Sequence, residues 1–280
     1  MTAVGPAVVR AAARLQAAGV PSPRHDAEVL AAHVLGTARA GLSLHGDWQP
    51  AHQQAYDLLI AERAGRVPLQ HLTGVAGFRY LELAVGPGVF IPRPETEVLV
   101  SWGLDRLTGR EAPAVVDLCA GAGAIALSVA QECPTATVYA VEREKLALAW
   151  LRRNADDTPV RVIAGDATDP AMLTELDGTV DLVLCNPPYI PVGAQIEPEV
   201  ARHDPPAALW GGPDGLDVVR GIVRRAGGLL RAGGWLAVEH ADRQGATVPA
   251  LLRAAGGWED VTDHPDLAGR DRFTTARRTR

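Results

Sequence analysis

The chain has 280 residues, a length that suits one large domain or two modest ones. Its formal net charge of −6 provides no overall basic field for nucleic acid, and its apolar runs are far shorter than a membrane span. Three widely spaced cysteines argue against a disulfide framework and against a metal site of the zinc type. The N-terminus lacks the basic-then-apolar pattern of a secretory signal, so we expect a cytoplasmic protein.

Residues 1–75 predict a helical domain. Apolar residues recur at helical spacing in three stretches: the first ends at Gly19, the second is capped by Asp26 and ends at Gly36, and the third surrounds Leu58. No chemistry is evident in this part of the chain. A small helical domain in front of an enzyme typically recruits or covers the substrate, so we expect a substrate-recognition role.

A linking β-hairpin is predicted over residues 76–92. Alternating apolar residues indicate a first strand over Phe78–Val85. Gly86-Pro87-Gly88 is the predicted turn, and Val89–Ile91 is the predicted return strand.

The next motif, Pro92-Arg93-Pro94-Glu95-Thr96-Glu97, leads into a predicted helix from Val98 to Leu107. Thr96 or Glu95 is its expected cap. The free N–H groups at such a helix start favour a carboxylate ligand. A salt-bridged helix start without a functional role explains Arg93 and the two glutamates equally well, so their roles stay open.

From Pro113 onward, strands alternate with helices, which predicts a parallel sheet covered on both faces. Only the last two strands break the rhythm, and the short loop between them predicts one antiparallel strand at the edge. The predicted strands are Val115–Leu118, Thr137–Val141, Val160–Ala164, Leu182–Cys185, Trp235–Glu239, Trp258–Thr262 and Arg272–Ala276. The predicted helices are Ile125–Glu132, Leu146–Asn154, Leu216–Leu230 and Gln244–Ala255.

Glycines and carboxylates follow the first three strands of this sheet. Gly121 and Gly123 follow the first strand and let the backbone turn tightly and approach a ligand. Glu142 ends the second strand, where a carboxylate can hold both hydroxyls of a ribose. Asp166 follows the third strand and can accept an adenine amino proton. These positions predict a nucleoside site at one edge of the sheet.

The stretch Asn186-Pro187-Pro188-Tyr189 follows the fourth strand. Proline cannot donate to a strand ladder, and the residue before it is held extended, so Asn186 is fixed at the carboxyl end of a central strand. Its amide oxygen can accept one N–H of a planar NH2 group, and a backbone carbonyl of the proline pair can accept the other. Tyr189 offers a flat face for stacking. We therefore interpret this stretch as a site for methyl transfer to a planar nitrogen, and not as a turn that only closes the strand.

Two cofactors fit the glycine loop. The run Gly121–Ala126 matches the Gly-x-Gly-x-x-Ala form of the nicotinamide dinucleotide fingerprint, with Glu142 as its acid. Asp117 before the glycines and the Asn-Pro-Pro-Tyr end of the fourth strand favour S-adenosylmethionine, with S-adenosylhomocysteine as product. The expected cofactor-binding residues are Asp117, Cys119, Ala120, Gly121, Ala122, Gly123, Glu142, Asp166, Ala167 and Asn186.

On these residues the chain resembles the release factor glutamine methyltransferase family. The matching motifs are Leu72-Thr73-Gly74, Ile91-Pro92-Arg93-Pro94-Glu95-Thr96-Glu97, the loop Cys119 to Gly123, Asn186-Pro187-Pro188-Tyr189-Ile190-Pro191, Gly212-Pro213-Asp214-Gly215-Leu216-Asp217 and Ala268-Gly269-Arg270-Asp271-Arg272. The resemblance implies an α/β fold: a small helical bundle, the hairpin, and a seven-stranded, mostly parallel, Rossmann-like class I methyltransferase domain over residues 93–280.

The resemblance also implies the activity, which is N5-methylation of the glutamine in the Gly-Gly-Gln loop of class 1 peptide chain release factors. Asn186 and the Pro187 carbonyl would hold the glutamine amide, with Pro188 and Tyr189 packed beside it. No membrane and no direct nucleic acid binding are expected. Asn-Pro-Pro-Tyr is shared with adenine-N6 and guanine-N2 methyltransferases, so an adenine-N6 methyltransferase acting on DNA or RNA remains the alternative.

Four departures from the family pattern stand out. Cys119-Ala120 replaces a pair with a hydroxyl, and Glu142 replaces a commoner aspartate. Ala167 stands where some relatives place an aromatic residue against adenine, and His203-Asp204-Pro205 replaces a more usual Glu-Pro. None removes a group that the chemistry needs. The Pro- and Gly-rich segment 204–217 is expected to form a loop over the site.

Overall fold

The computed structural model describes residues 3–279, which form two compact units. The first unit combines the chain up to Val75 with the short segment Ile196–His203. The second unit combines Ala76–Gln195 with the chain from Asp204 onward. No helix within residues 3–279 has the length and apolar character needed to cross a bilayer.

The bounds of the elements are as follows. The helices are α1 Val4–Ala17, α2 Pro23–Leu35, α3 Pro50–Ala64, α4 Leu69–Thr73, α5 Glu97–Leu107, α6 Ala124–Glu132, α7 Lys145–Ala155, α8 Pro198–His203, α9 Asp217–Leu229 and α10 Thr247–Ala255. The strands are β1 Val75–Phe78, β2 Leu81–Ala84, β3 Ala114–Leu118, β4 Thr137–Glu142, β5 Arg161–Ala164, β6 Val180–Cys185, β7 Leu230–Glu239, β8 Trp258–Pro265 and β9 Asp271–Arg278.

The helical unit packs α1, α2 and α3 around a core that includes Leu15, Leu30 and Ile60. The predicted cap of α2 was wrong. The helix begins at Pro23, whose fixed φ suits the first helical position, so Asp26 lies inside the first turn. Its buried carboxylate instead accepts a hydrogen bond of 2.7 Å from the guanidinium of Arg63.

The hairpin is present, but the predicted position of its turn, at Gly86-Pro87-Gly88, was wrong. β1 and β2 are joined at Arg79 and Tyr80, near the start of the predicted first strand, and the segment 89–91 is not a strand. Arg79 adopts a φ of 51° and its guanidinium binds both carboxylate oxygens of Glu132 at 2.6 and 2.7 Å. Its backbone N–H donates to Glu97 at 3.1 Å. These long-range contacts override the local preference for glycine at a turn.

The large sheet in residues 3–279 has seven strands in the order β5-β4-β3-β6-β7-β9-β8. The neighbours from β5 to β7 pair in parallel, and β9 runs antiparallel between β7 and β8. The predicted fold class is confirmed. The antiparallel strand was predicted at the edge, but β8 occupies the edge and β9 lies one place inside it.

Alternate residues of the central strands enter two cores on opposite faces. Leu182 and Leu184 pack with α5 and α6 residues, whereas Val183 and Cys185 pack with α9 residues. Both faces are therefore covered, and ligands can reach the sheet only beyond its strand ends. The carboxyl ends of β3, β4, β5 and β6 meet at one such rim.

Candidate active site

The glycine loop between β3 and α6 forms the floor of the site. The N–H of Ala120 donates to the Val141 carbonyl at 2.9 Å, which fixes the loop against the end of β4. Cys119 and Gly121 have positive φ values of 67° and 56°. A Cβ on Gly121 would meet no atom within 4 Å, so this glycine serves the backbone conformation and leaves open space above the loop.

Gly123 has a different task in the same loop. It precedes α6 with a φ of 94°, and a Cβ there would lie 2.7 Å from Leu151 and 2.9 Å from Leu127. Its missing side chain therefore lets α6 pack closely against α7.

Asp117 lies fully buried beneath the loop. Its Oδ2 accepts the N–H of Ala126 at 3.1 Å, in the first turn of α6. Its Oδ1 has no hydrogen-bond partner within residues 3–279. Burial, reinforced by the negative charge of Glu142, raises the pKa of Asp117 well above its usual range. The structure thus places Asp117 as a support for the helix start rather than in contact with the cavity.

Glu142 ends β4 and connects two loops. Its Oε2 accepts the N–H of Gly121 at 2.9 Å, and its Oε1 accepts the N–H of Glu144 at 2.7 Å. Burial raises its pKa, although these backbone donors oppose the shift. Each carboxylate oxygen retains a lone pair for a further donor.

Asp166 follows β5 on the same rim. Its Oδ1 accepts both the N–H and the hydroxyl of Thr168, and its Oδ2 accepts from Arg143 at 3.3 Å. Burial alone would raise the pKa of Asp166, but these hydrogen bonds outweigh it and lower the pKa. The carboxylate is therefore held ionised, with acceptor capacity left on Oδ2.

A cavity opens over this rim, with a volume of about 1100 Å³ including the solvent at its mouth. Among the sequence-predicted residues, its lining contains Cys119, Ala120, Gly121, Ala122, Glu142, Asp166, Ala167, Asn186, Pro188 and Tyr189. Asp117, Gly123 and Pro187 are outside the lining.

The segment after β6 presents its polar groups at the cavity. The Nδ2 of Asn186 donates to the Thr96 hydroxyl at 3.2 Å, and the Tyr189 hydroxyl donates to Glu239 at 3.3 Å. Burial raises the pKa of Tyr189, so the phenol stays protonated. The carbonyl of Pro187 accepts no hydrogen bond from residues 3–279.

Comparison with known proteins identifies the chain. Residues 7–74 match the PrmC N-terminal domain and residues 94–203 match the Methyltransferase small domain. A release factor glutamine methyltransferase from Mycolicibacterium smegmatis is 52% identical, and the alignment covers 99% of each chain. The chain belongs to the release factor glutamine methyltransferase family.

Two further similarities frame this family assignment. A relative from Streptomyces pristinaespiralis, named 4-amino-L-phenylalanine/4-methylamino-L-phenylalanine methyltransferase, is 40% identical over 95% of this chain and 94% of its own length. The solved structure of the hMettl16 catalytic domain in complex with MAT2A 3'UTR hairpin 6 aligns with a TM-score of 0.57 and 17% identity, covering 79% of this chain and 81% of the other. The second similarity shows a shared methyltransferase fold.

Neither Thr96 nor Glu239 was among the site residues expected from the sequence. Thr96 was predicted to cap α5, but its side chain makes no capping bond and its hydroxyl donates instead to the buried carboxylate of Glu239 at 2.7 Å. Glu239 ends β7, the strand beside β6. Its place at the end of the fifth predicted strand is visible in the sequence, but that position alone favours a structural role over a catalytic one.

The Pro- and Gly-rich loop expected over the site contributes to the cavity. Pro205 and Leu209 line it, and the N–H of Ile190 donates to the Leu209 carbonyl at 2.9 Å. A Cβ on Gly211 would lie 2.6 Å from the Pro188 carbonyl oxygen. Glycine at this position allows the loop backbone to touch the Asn-Pro-Pro-Tyr backbone.

Arg93 lies at the wall of the same cavity. Its guanidinium binds Asp204 at 2.6 Å and lies 4.9 Å from the centre of the Phe90 ring. The positive charge is thus already matched by a buried carboxylate and an aromatic face. This arrangement fits the salt-bridge interpretation of Arg93 and ties the motif before α5 to the loop at Asp204.

Proposed function

We propose that this protein transfers a methyl group from S-adenosylmethionine to the side-chain amide nitrogen, N5, of the glutamine in the Gly-Gly-Gln loop of class 1 peptide chain release factors. Family membership over nearly the whole chain supports the activity and the substrate. The observation that carries the site assignment is the anchored Asn186 carboxamide, which lines the same cavity as the glycine loop.

The rim of the sheet fits a nucleoside cofactor. The open space above Gly121 leaves room for close approach, Glu142 retains lone pairs for ribose hydroxyls, and Asp166 retains an acceptor for an adenine amino group. Ala167 and the loop residues Cys119, Ala120 and Ala122 supply the apolar walls, with Asp117 and Gly123 supporting the loop from behind. Bound S-adenosylmethionine supplies an electrophilic methyl group on a sulfonium.

The acceptor amide poses the chemical difficulty, because its nitrogen lone pair is delocalised into its carbonyl. Asn186 Oδ1 can accept one N–H of the glutamine amide, and the Pro187 carbonyl, which accepts no hydrogen bond within residues 3–279, can accept the other, so that together they aim the nitrogen. Holding the reactants in an attack geometry lowers the activation barrier by several kcal/mol. Acceptor oxygens aimed at the nitrogen, which becomes positive during the reaction, stabilise the transition state further. Tyr189 and Pro188 pack beside the side chain, and the extra proton leaves to water.

Transfer of a radioactive methyl group from S-adenosylmethionine to purified release factor tests the proposal. We expect label in the release factor and none in a variant whose Gly-Gly-Gln glutamine is replaced by asparagine, because the shorter side chain cannot reach the site. Equal labelling of both proteins, or label in DNA or RNA supplied instead, contradicts the proposal.

The relative named for 4-amino-L-phenylalanine makes an aromatic amine the natural second acceptor to assay. Such an amine is also a planar NH2 group, so the same two acceptor oxygens can bind it. We expect the release factor to be methylated with the higher kcat/KM. The reverse order would assign this chain to the amino acid substrate.

A further inference from the structure

A short hydrogen-bonded chain runs from Asn186 into the interior of the second unit. Asn186 Nδ2 donates to Thr96 Oγ1 at 3.2 Å, and Thr96 Oγ1 donates to Glu239 Oε2 at 2.7 Å. Thr96 is 3% exposed and Glu239 is 1% exposed, so bulk water does not compete for these bonds. Glu239 does not line the cavity and acts behind the residues that do.

The direction of these bonds has a chemical cause. An ionised carboxylate only accepts, so the single hydroxyl proton of Thr96 must point at Glu239. The Thr96 oxygen then presents a lone pair to Asn186, which can be met only by the NH2 end of the carboxamide. The oxygen end of Asn186 is consequently left for other donors. The opposite orientation would set two acceptors against each other.

The same carboxylate also holds the other end of the motif. Glu239 Oε1 accepts the Tyr189 hydroxyl at 3.3 Å, and Gln244 Nε2 donates to the Tyr189 carbonyl at 3.1 Å. One buried group therefore orients both the amide that faces the acceptor nitrogen and the ring beside it.

We propose that Glu239 and Thr96 are positioning residues that keep the Asn186 side-chain oxygen facing the acceptor nitrogen. This inference rests on the proposed function, since it assigns the polarity of the same acceptor site. Neither residue touches the reacting atoms; Glu239 acts through Thr96, and Thr96 acts through Asn186.

Protonation of Glu239 removes the constraint. A neutral carboxylic acid can donate to Thr96, which frees the Thr96 proton to point at Asn186 and stabilises the reversed amide. Burial is the main cause that raises the pKa of Glu239, to about 7. The charged and titratable groups that also act on this pKa are Arg272, Tyr189 and Glu95. Turnover is expected to fall as the pH drops through this value, because the reversed amide presents N–H groups to the acceptor.

Three substitutions distinguish a positioning role of Thr96 and Glu239 from a purely structural role. Thr96→Val has nearly the same shape but no hydroxyl, and we expect kcat to fall about 10- to 100-fold with little change in the Kd for S-adenosylmethionine. Thr96→Ser returns the hydroxyl and recovers most of the lost turnover. Glu239→Gln leaves both amide orientations open, so we expect a lower kcat and the loss of the acidic limb near pH 7. Thr108→Val, at an exposed position, is the matched control.

A second measurement does not depend on the acceptor. In ¹⁵N-labelled protein, hydrogen exchange at the Asn186 side-chain amide should be slow in wild type and Thr96→Ser, and at least about tenfold faster in Thr96→Val. If wild type labels release factor while Thr96→Val and Thr96→Ser turn over equally, the positioning role is wrong and the proposed function stands. If wild type labels no release factor, the proposed function is wrong, and amide exchange then decides the inference: unchanged exchange in Thr96→Val overturns it and faster exchange supports it.

Discussion

Glu142 accepts the backbone N–H of Gly121 across 2.9 Å, so the acid that ends β4 also holds the glycine loop that follows β3. Because its other oxygen accepts the N–H of Glu144 at 2.7 Å, both backbone groups require an acceptor. Glu142→Gln would set an NH2 group against one of them. We expect the Kd for S-adenosylmethionine to rise about 10- to 100-fold, corresponding to one unsatisfied buried donor. Isothermal titration calorimetry measures it.

The same substitution at an exposed glutamate serves as the control for this effect. Glu111 lies in the exposed loop before β3, and Glu111→Gln should leave the Kd unchanged. Wild-type affinity in Glu142→Gln would mean that the ribose is held elsewhere.

Much of this rim was predictable from sequence because its signals are local. Glu142, Asp166 and Asn186 each follow an apolar strand, and parallel strands bring their carboxyl ends together, so three separate positions converge without further information. Proline after Asn186 fixes its backbone in the same local way.

The misses come from contacts that sequence spacing does not encode. Thr96 and Glu239 are 143 residues apart, and the packing of α5 against β6 and β7 brings them together. The hairpin turn at Arg79 likewise depends on Glu132, 53 residues away, rather than on a turn-forming residue. In both cases a tertiary hydrogen bond overrode the local preference for a cap or a glycine turn.

Replacement by alanine should affect turnover at Asn186 and cofactor affinity at Asn154. Asn186→Ala should lower kcat about 100-fold while the Kd for S-adenosylmethionine stays nearly constant, because the acceptor loses its orientation. Asn154 holds Ala84 and Ala122 by three hydrogen bonds of 2.8 to 3.0 Å. Asn154→Ala should therefore weaken cofactor affinity and lower thermal stability. Rapid-quench single-turnover rates, calorimetry and thermal melting distinguish the two; equal losses of rate and affinity in Asn186→Ala would remove its assigned role.

Gly211 tests the contact between the 204–217 loop and the acceptor segment. A Cβ at this position would crowd the Gly215 carbonyl and lie 2.6 Å from the Pro188 carbonyl, and neither backbone atom can rotate away. We expect Gly211→Ala to lower kcat/KM for the release factor about tenfold or more, since a shift of about 1 Å in this segment misplaces the acceptor. Gly46→Ala, where a Cβ meets no atom of residues 3–279 within 4 Å, should keep the wild-type value in the same steady-state assay. A fully active Gly211→Ala enzyme would show that the loop does not set the acceptor geometry.

Arg63 is the expected weak point of the helical unit. Its buried guanidinium binds Asp26 at 2.7 Å and Glu199 at 2.9 Å, and it also donates to the Val67 carbonyl. Arg63→Met leaves the buried Asp26 carboxylate without its counter-charge, which costs about 3–5 kcal/mol of unfolding free energy. Urea unfolding of the full chain should report this loss, and exposed Arg10→Met should show almost none. Adding Asp26→Leu should restore part of the stability; no recovery in the double variant would place the loss at Glu199.

Glu239 also predicts a pH dependence of stability. Burial raises its folded-state pKa from 4.5 to about 7, so between these values the native state binds a proton that the unfolded state does not. The contribution of Glu239 to the free energy of unfolding is therefore fully present below about pH 4.5 and is lost as the pH rises through 7. The change amounts to about 3 kcal/mol for this group. The Glu239→Gln variant has no titrating carboxyl group at this position. Urea unfolding of both proteins at pH 5 and pH 8 should show that the variant loses less stability than wild type across this range, because only the wild type must release a proton from the buried carboxyl. A difference between the proteins that is the same at both pH values would mean that Glu239 is ionised throughout, and the acidic limb of the turnover profile would then need another titrating group.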